Sequence, residues 1–92
     1  MSGQSSPLQD LFHKRMSVIT ALSQANADYL RALQLRSGSD ILLLKDDLTP
    51  VGQAALNEAE TALAACQVRI DTLEQDLARI DLDIQATENR EI

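Results

Sequence analysis

The sequence predicts an all-α fold: an antiparallel hairpin of two long helices, completed by dimerisation into a four-helix bundle or coiled coil. Three observations carry this expectation. Two Ser/Thr-Pro helix starts stand at Ser6-Pro7 and Thr49-Pro50. An apolar heptad runs unbroken from Leu56 to Ile84. The chain holds one Phe, one Tyr, no Trp, three Gly and two Pro, too few turn-formers and pleat-filling side chains for a sandwich or barrel.

The first element in order is a leader. Residues 1–6, MSGQSS, carry no apolar side chain beyond Met1 and are expected to be disordered, leaving 7–92 as a single hairpin domain. The first helix is expected over 7–37. Ser6 is a suitable N-cap, Pro7 fits the first helical position, and Gln9 three residues after Ser6 completes a capping box. At 100° per residue, Leu8, Leu11, Phe12, Ile19, Leu22, Tyr29, Leu30 and Leu33 fall on one side. Asp10, His13, Ser17, Gln24, Asp28 and Arg31 fall on the other. Ser37-Gly38 is expected to close the helix, since Gly takes the left-handed C′ conformation without a Cβ clash.

The second helix is expected over 49–90, with Thr49 as cap and Pro50 in the first turn. Leu56, Ala59, Leu63, Cys66, Ile70, Leu73, Leu77, Ile80 and Ile84 alternate in steps of three and four. Four heptads without a break specify a coiled-coil-like seam. Thr87 continues the register without the hydrophobicity.

A second helix of about 60 Å folded on a first of about 45 Å would set Leu8 near residues 78–80, leaving Ile80 and Ile84 overhanging. Two helices cannot surround either apolar stripe, so a second copy or a partner protein is expected to cover what remains. Ile70, Leu73, Leu77, Ile80 and Ile84 are therefore interface candidates. A parallel zipper of the second helix alone is disfavoured, because Asp76 would face Asp81 and Asp83 would face Glu88 across it. Arg15 and Asn26, polar residues near the apolar centre of the first helix, are further candidates for fixing register or partner choice. The alternative is Arg15 at the edge with its head in water and Asn26 against a gap.

Between the helices, a connector is expected over 38–48, and it carries Ile41, Leu42, Leu43 and Leu44 in succession. Exposing all four would forfeit several kcal/mol, at roughly 1.5–3 kcal/mol per large side chain. Two readings are open. The stretch is a helical turn capped by Ser39 that lids Leu33, Val51 and Leu56, or it is a docking surface for a partner or a second protomer.

No catalytic constellation, metal site or cofactor-binding motif is found, and an enzyme is not expected. His13 is the only histidine and lies on a polar face. Cys66 sits at a seam position among aliphatics, where a buried small hydrophobe is expected rather than a nucleophile, and it has no disulfide partner in the chain. The formal charge of −6 concentrates in residues 47–92, which hold ten Asp/Glu and three Arg. Without a basic stripe, direct nucleic-acid binding is not expected. No apolar run is long enough to span a membrane, and no cleavable signal precedes the first helix. A cytoplasmic location is the default, although export without a cleaved signal leaves the same sequence.

The length matches small secreted hairpins of the WXG class, but no Trp is present to make their Trp-x-Gly turn. In size, pI near 4.5 and hairpin form the chain resembles small acidic chaperones of secretion systems. The functional expectation is a small acidic adaptor, chaperone or regulator that homodimerises or covers an amphipathic segment of a partner protein. The alternatives are a structural subunit of a secretion apparatus, phage or filament, and an acidic inhibitor occupying another protein's nucleic-acid site. Val68 and Leu82, on the outside of the second helix, would serve the first of these alternatives.

Overall fold

Both helices begin where their caps are. A computed structural model describes residues 6–44 and 49–90, with side chains described over 6–38 and 49–90. The Gln9 amide donates to Ser6 Oγ at 3.1 Å, and the Asp10 amide donates to the Ser6 carbonyl. At the second start, the Gly52 amide donates to Thr49 Oγ1 at 3.1 Å and the Gln53 amide to the Thr49 carbonyl. Each hydroxyl satisfies an amide that has no intrahelical acceptor, worth about 1 kcal/mol per cap. On the exposed faces, Gln24 donates to Asp28, Gln53 to Asn57 and Gln67 to Asp71, each four residues apart. Pairs of this kind add about 0.2–0.5 kcal/mol each.

Helix α1 spans Pro7–Leu44 and helix α2 spans Pro50–Arg90. They pack against each other as a hairpin, in agreement with the expected fold class. Of the leader expected over 1–6, residues 1–5 lie outside the described residues.

The end of α1 departs from expectation. Gly38 does not close the helix; α1 passes through it and continues for six more residues. Its φ is not in the left-handed region, and a Cβ built on it would meet nothing within 4 Å. A glycine terminates a helix only when the chain turns away at it. Here Ile41-Leu42-Leu43-Leu44 come within two turns, and leucines are good helix formers that outweigh a penalty of about 1 kcal/mol for one interior Gly. The separate turn capped by Ser39 is replaced by continuous α1. The side chains of 39–44 lie outside the described residues, and with them the lid and docking readings of Ile41–Leu44.

Because α1 is longer, the register shifts. Arg15 Nε donates to Asp81 Oδ1 at 2.8 Å, an ion pair between the two helices. Lys14 and Asp83 line one shared cleft, Pro7 and Arg90 another, and Leu35 and Ala62 a third. The paired numbers add to about 96, so Leu8 lies level with Thr87 rather than with residues 78–80. Ile80 and Ile84 therefore do not overhang; Ile84 is buried and Ile80 half-buried.

The seam of α2 is inward along its whole length. Leu56, Ala59, Leu63 and Ile84 are buried, and Cys66, Ile70, Leu73, Leu77, Ile80 and Thr87 are half-buried. Gly52, one step before Leu56 in the same alternation, is half-buried too, while every other described α2 residue is exposed.

In α1 the inward face is not the one that hydrophobicity alone suggests. It runs Leu8, Leu11, Arg15, Val18, Leu22, Ala25, Tyr29 and Ala32, again in steps of three and four. Ala25 and Ala32 are its most buried members, at 1% and 4% exposure. Phe12, Leu30 and Leu33, assigned to the apolar side from the sequence, are exposed. The register explains the exchange: Ala32 falls level with Leu63 and Ala25 with Ile70, so small residues on α1 make room for large ones on α2.

Candidate interaction surface

Measured against a globular chain, the hairpin is thin. It extends 66 × 25 × 14 Å, two helices wide and one helix thick. Helical domains bury an apolar stripe by packing layer on layer, and here there is a single layer. No large side chain is fully buried among the described residues. The accessible surface is 6811 Å², against about 5300 Å² for a compact monomer of this mass.

What the single layer leaves open is itself patterned. Phe12, Met16, Ile19, Ser23, Asn26, Leu30 and Leu33 succeed one another in steps of four and three. Each is one residue beyond a member of the inner stripe, which rotates this second stripe by about 100° from the first. Phe12 is 46%, Met16 64% and Leu30 58% exposed, with Leu33 exposed and Ile19 half-buried. Helix α1 thus carries two apolar heptad stripes, one spent on α2 and one open. In the open one, Ser23 and Asn26 interrupt the apolar residues at mid-length.

The neighbouring edge of α2 is acidic. Glu60, Gln67, Glu74, Asp81 and Glu88 recur every seven residues and are all exposed. The clefts containing Lys14 with Asp83, and Leu35 with Ala62, identify the opposite side of the hairpin. The open α1 stripe and the α2 acidic row therefore share the other side. There Arg15 reaches from the inner stripe to Asp81, both side chains being about half exposed.

Each residue singled out from the sequence has a place in this arrangement. Ile70, Leu73, Leu77, Ile80 and Ile84 form the hairpin's own seam. Arg15 occupies an inner-stripe position with its head paired to Asp81. Asn26 is exposed, midway along the open stripe rather than at a buried centre. Ile41 to Leu44 belong to the α1 backbone, and their side chains are outside the described residues. Val68 and Leu82 are exposed on α2. The open stripe as a unit escaped sequence reasoning, although its signal was present: a 4-3 alternation starting at Phe12, offset by one from that starting at Leu11.

A cleft of about 530 Å³ is lined by Leu11, Val18 and Ile80 with His13, Lys14, Ser17, Asp76, Arg79 and Asp83 around them. Its charges are of mixed sign. No group of three or more His, Cys, Asp or Glu suited to a metal ion exists among the described residues. Cys66 is a free, half-buried thiol in the seam. No described helix is long and apolar enough to cross a membrane. No family model, curated protein or solved structure matches the chain.

Proposed function

We propose that the chain is a non-enzymatic protein-interaction module whose open α1 stripe is completed by another helix. One observation carries this reading: a second heptad of large apolar side chains, Phe12, Met16, Leu30 and Leu33, lies exposed on a structure only one helix thick. Scattered surface leucines need no explanation, but here large apolar residues recur at coiled-coil spacing on one side of α1, in two groups separated by Ser23 and Asn26. An adaptor or chaperone that covers an amphipathic segment would present such a surface, and so would a homodimer.

The test is sedimentation equilibrium at micromolar concentration, combined with binding of an environment-sensitive apolar dye. We expect either self-association or strong dye binding by the monomer, and the paired substitution Phe12→Ser, Leu30→Ser should remove whichever is seen while leaving helicity intact. A stable, fully helical monomer that binds no dye would sink the reading.

A structural subunit of an ordered assembly is the second reading. It draws on Val68 and Leu82, each about two-thirds exposed on α2, which give the rod another apolar spot for a heterologous contact. An overhanging α2 end would have added to it, but α1 covers that end. Concentration-dependent filaments or rings in negative stain would favour it over the first.

A further inference from the structure

The α2 edge beside the open stripe carries acidic side chains and no basic one, with Arg15 of α1 paired to one of them, and that restricts what can lie on it. We infer that the occupant is an amphipathic α-helix whose apolar face carries a Lys/Arg flank, seated along α1 with its basic edge over the acidic row of α2. The inference rests on the interaction-module reading above and adds to it the chemistry of the partner.

Charge complementarity decides among occupants. From Phe12 to Leu33 the stripe is about 32 Å long, and α2 residues 63–84 lie level with it. On that stretch Asp71, Glu74 and Asp81 are exposed beside the stripe, with Glu60 and Glu88 just beyond its two ends. Asp81 is engaged by Arg15. Glu74 lies near the middle of the row, level with the Ser23 to Asn26 break in the stripe. The other flank of the stripe holds His13, Thr20, Ala27 and Gln34, with no Asp, Glu, Lys or Arg. A third helix resting on α1 therefore meets apolar residues beneath it and anionic side chains along one edge only. A helix with Lys or Arg on that edge is attracted; an acidic edge is repelled.

A second copy stacked with its α1 arm antiparallel fits less well. Stacked face to face about a two-fold axis across the helices, antiparallel α1 arms would set Phe12 against Leu33 and Met16 against Leu30 of the other copy. The same operation lays one α2 acidic row over the other, bringing Glu60 opposite Glu88 and Glu74 close to its own counterpart. Like charges at that spacing oppose the stack.

Two synthetic probe peptides of about 25 residues, long enough to span the stripe, test this with the full chain. Both carry Leu at heptad spacing; one has Lys along a single flank, the other Glu at the same positions. The Lys peptide should bind at least about tenfold more tightly than the Glu peptide, and this preference should shrink at high salt. Leu30→Ser should weaken Lys-peptide binding at least about tenfold, the value of one large apolar contact. Glu74→Gln should reduce the preference between peptides while leaving Glu-peptide binding unweakened. Far-UV circular dichroism of each variant, with Met16→Ser as a second stripe substitution, separates a lost surface from a lost fold.

Equal binding of both peptides, lost on Leu30→Ser, would overturn the basic-flank inference and leave the interaction module standing. Peptide binding indifferent to both Leu30→Ser and Met16→Ser would overturn the site. A dimer that Leu30→Ser dissociates, with no peptide bound, would assign the stripe to a second copy and overturn the inference alone. A dye-inert, stable monomer that binds neither peptide would overturn both readings.

Discussion

Helix α2 has one apolar stripe and helix α1 has two. Along α2 the alternation from Leu56 to Ile84 is the only heptad of large apolar residues, and all of it turns inward. Along α1 the apolar residues spread over a broad arc, and the members that turn inward include its alanines while Phe12, Met16 and Leu30 stay out. A single stripe must face the partner helix, so its orientation is decided by the helix alone. A double stripe leaves a choice, which is made by shape matching against the other helix. Close approach favours Ala25 and Ala32 opposite Ile70 and Leu63 over a face of large residues on both sides.

The contrast can be broken most directly with two leucines. Leu63→Ala, at a buried seam position, should cost the hairpin about 2–3 kcal/mol, read as a large fall in melting temperature. Leu30→Ala removes the same atoms from the open stripe and should change hairpin stability by less than about 0.5 kcal/mol. Equal losses at the two sites, in a chain shown to be monomeric, would mean that the stripes have been assigned to the wrong sides. Next in size, Ala32→Leu should destabilise by about 1–3 kcal/mol despite adding apolar surface, because it overfills the layer shared with Leu63. A stabilised Ala32→Leu would show that the inner stripe has room, and that close approach does not select its alanines.

Smaller effects sharpen the difference between the two arms. Gly38→Ala should stabilise α1 by about 0.5–1 kcal/mol, since the residue is helical and a methyl group there meets open space. If Gly38 instead ended the helix in the left-handed conformation, the same substitution would destabilise, so the sign measured by chemical denaturation is the result that matters. The Arg15–Asp81 pair, about half exposed on both sides, should show a coupling of about 0.2–1 kcal/mol in a double-mutant cycle of Arg15→Met and Asp81→Asn. A coupling of zero would leave the register resting on packing alone.

These two arms also differ in how much of each is legible in the sequence. The caps at Ser6 and Thr49 are local chemistry, a hydroxyl three residues from an orphan amide, and both form as expected. The seam of α2 is equally open to reading, because steps of three and four leave no other face for it. The inner face of α1 is not. Hydrophobicity ranks Leu30 and Leu33 above Ala25 and Ala32, and the structure reverses the order because packing is a property of two helices together. The end of α1 is misplaced for a related reason. Gly38 is a stop signal only if the chain beyond it leaves the helix, and Ile41 to Leu44 keep it going. That error carries into the expected register and produces an overhang that the longer arm removes. Of the candidate surface, the stripe around Asn26 is not legible from hydrophobicity alone, because it becomes a separate face only once the inner face of α1 is fixed.

The passage of α1 through Gly38 has a further consequence. Residues 38–44 number seven, one heptad, and advance the helix by two turns with almost no rotation. Remove them, and every α1 side chain would keep its facing while the arm slid along α2 by about 10 Å. Ala32 would then fall level with Leu56 and Ala25 with Leu63, again small beside large, and Arg15 would find Glu74 where it now finds Asp81. Leu8 would reach only to Ile80. The seam is thus close to periodic, and sliding by its period is nearly silent to the side chains that compose it. What distinguishes one alignment from the next is where the chain reverses direction, so the length of α1 beyond Gly38 acts as the hairpin's phase reference.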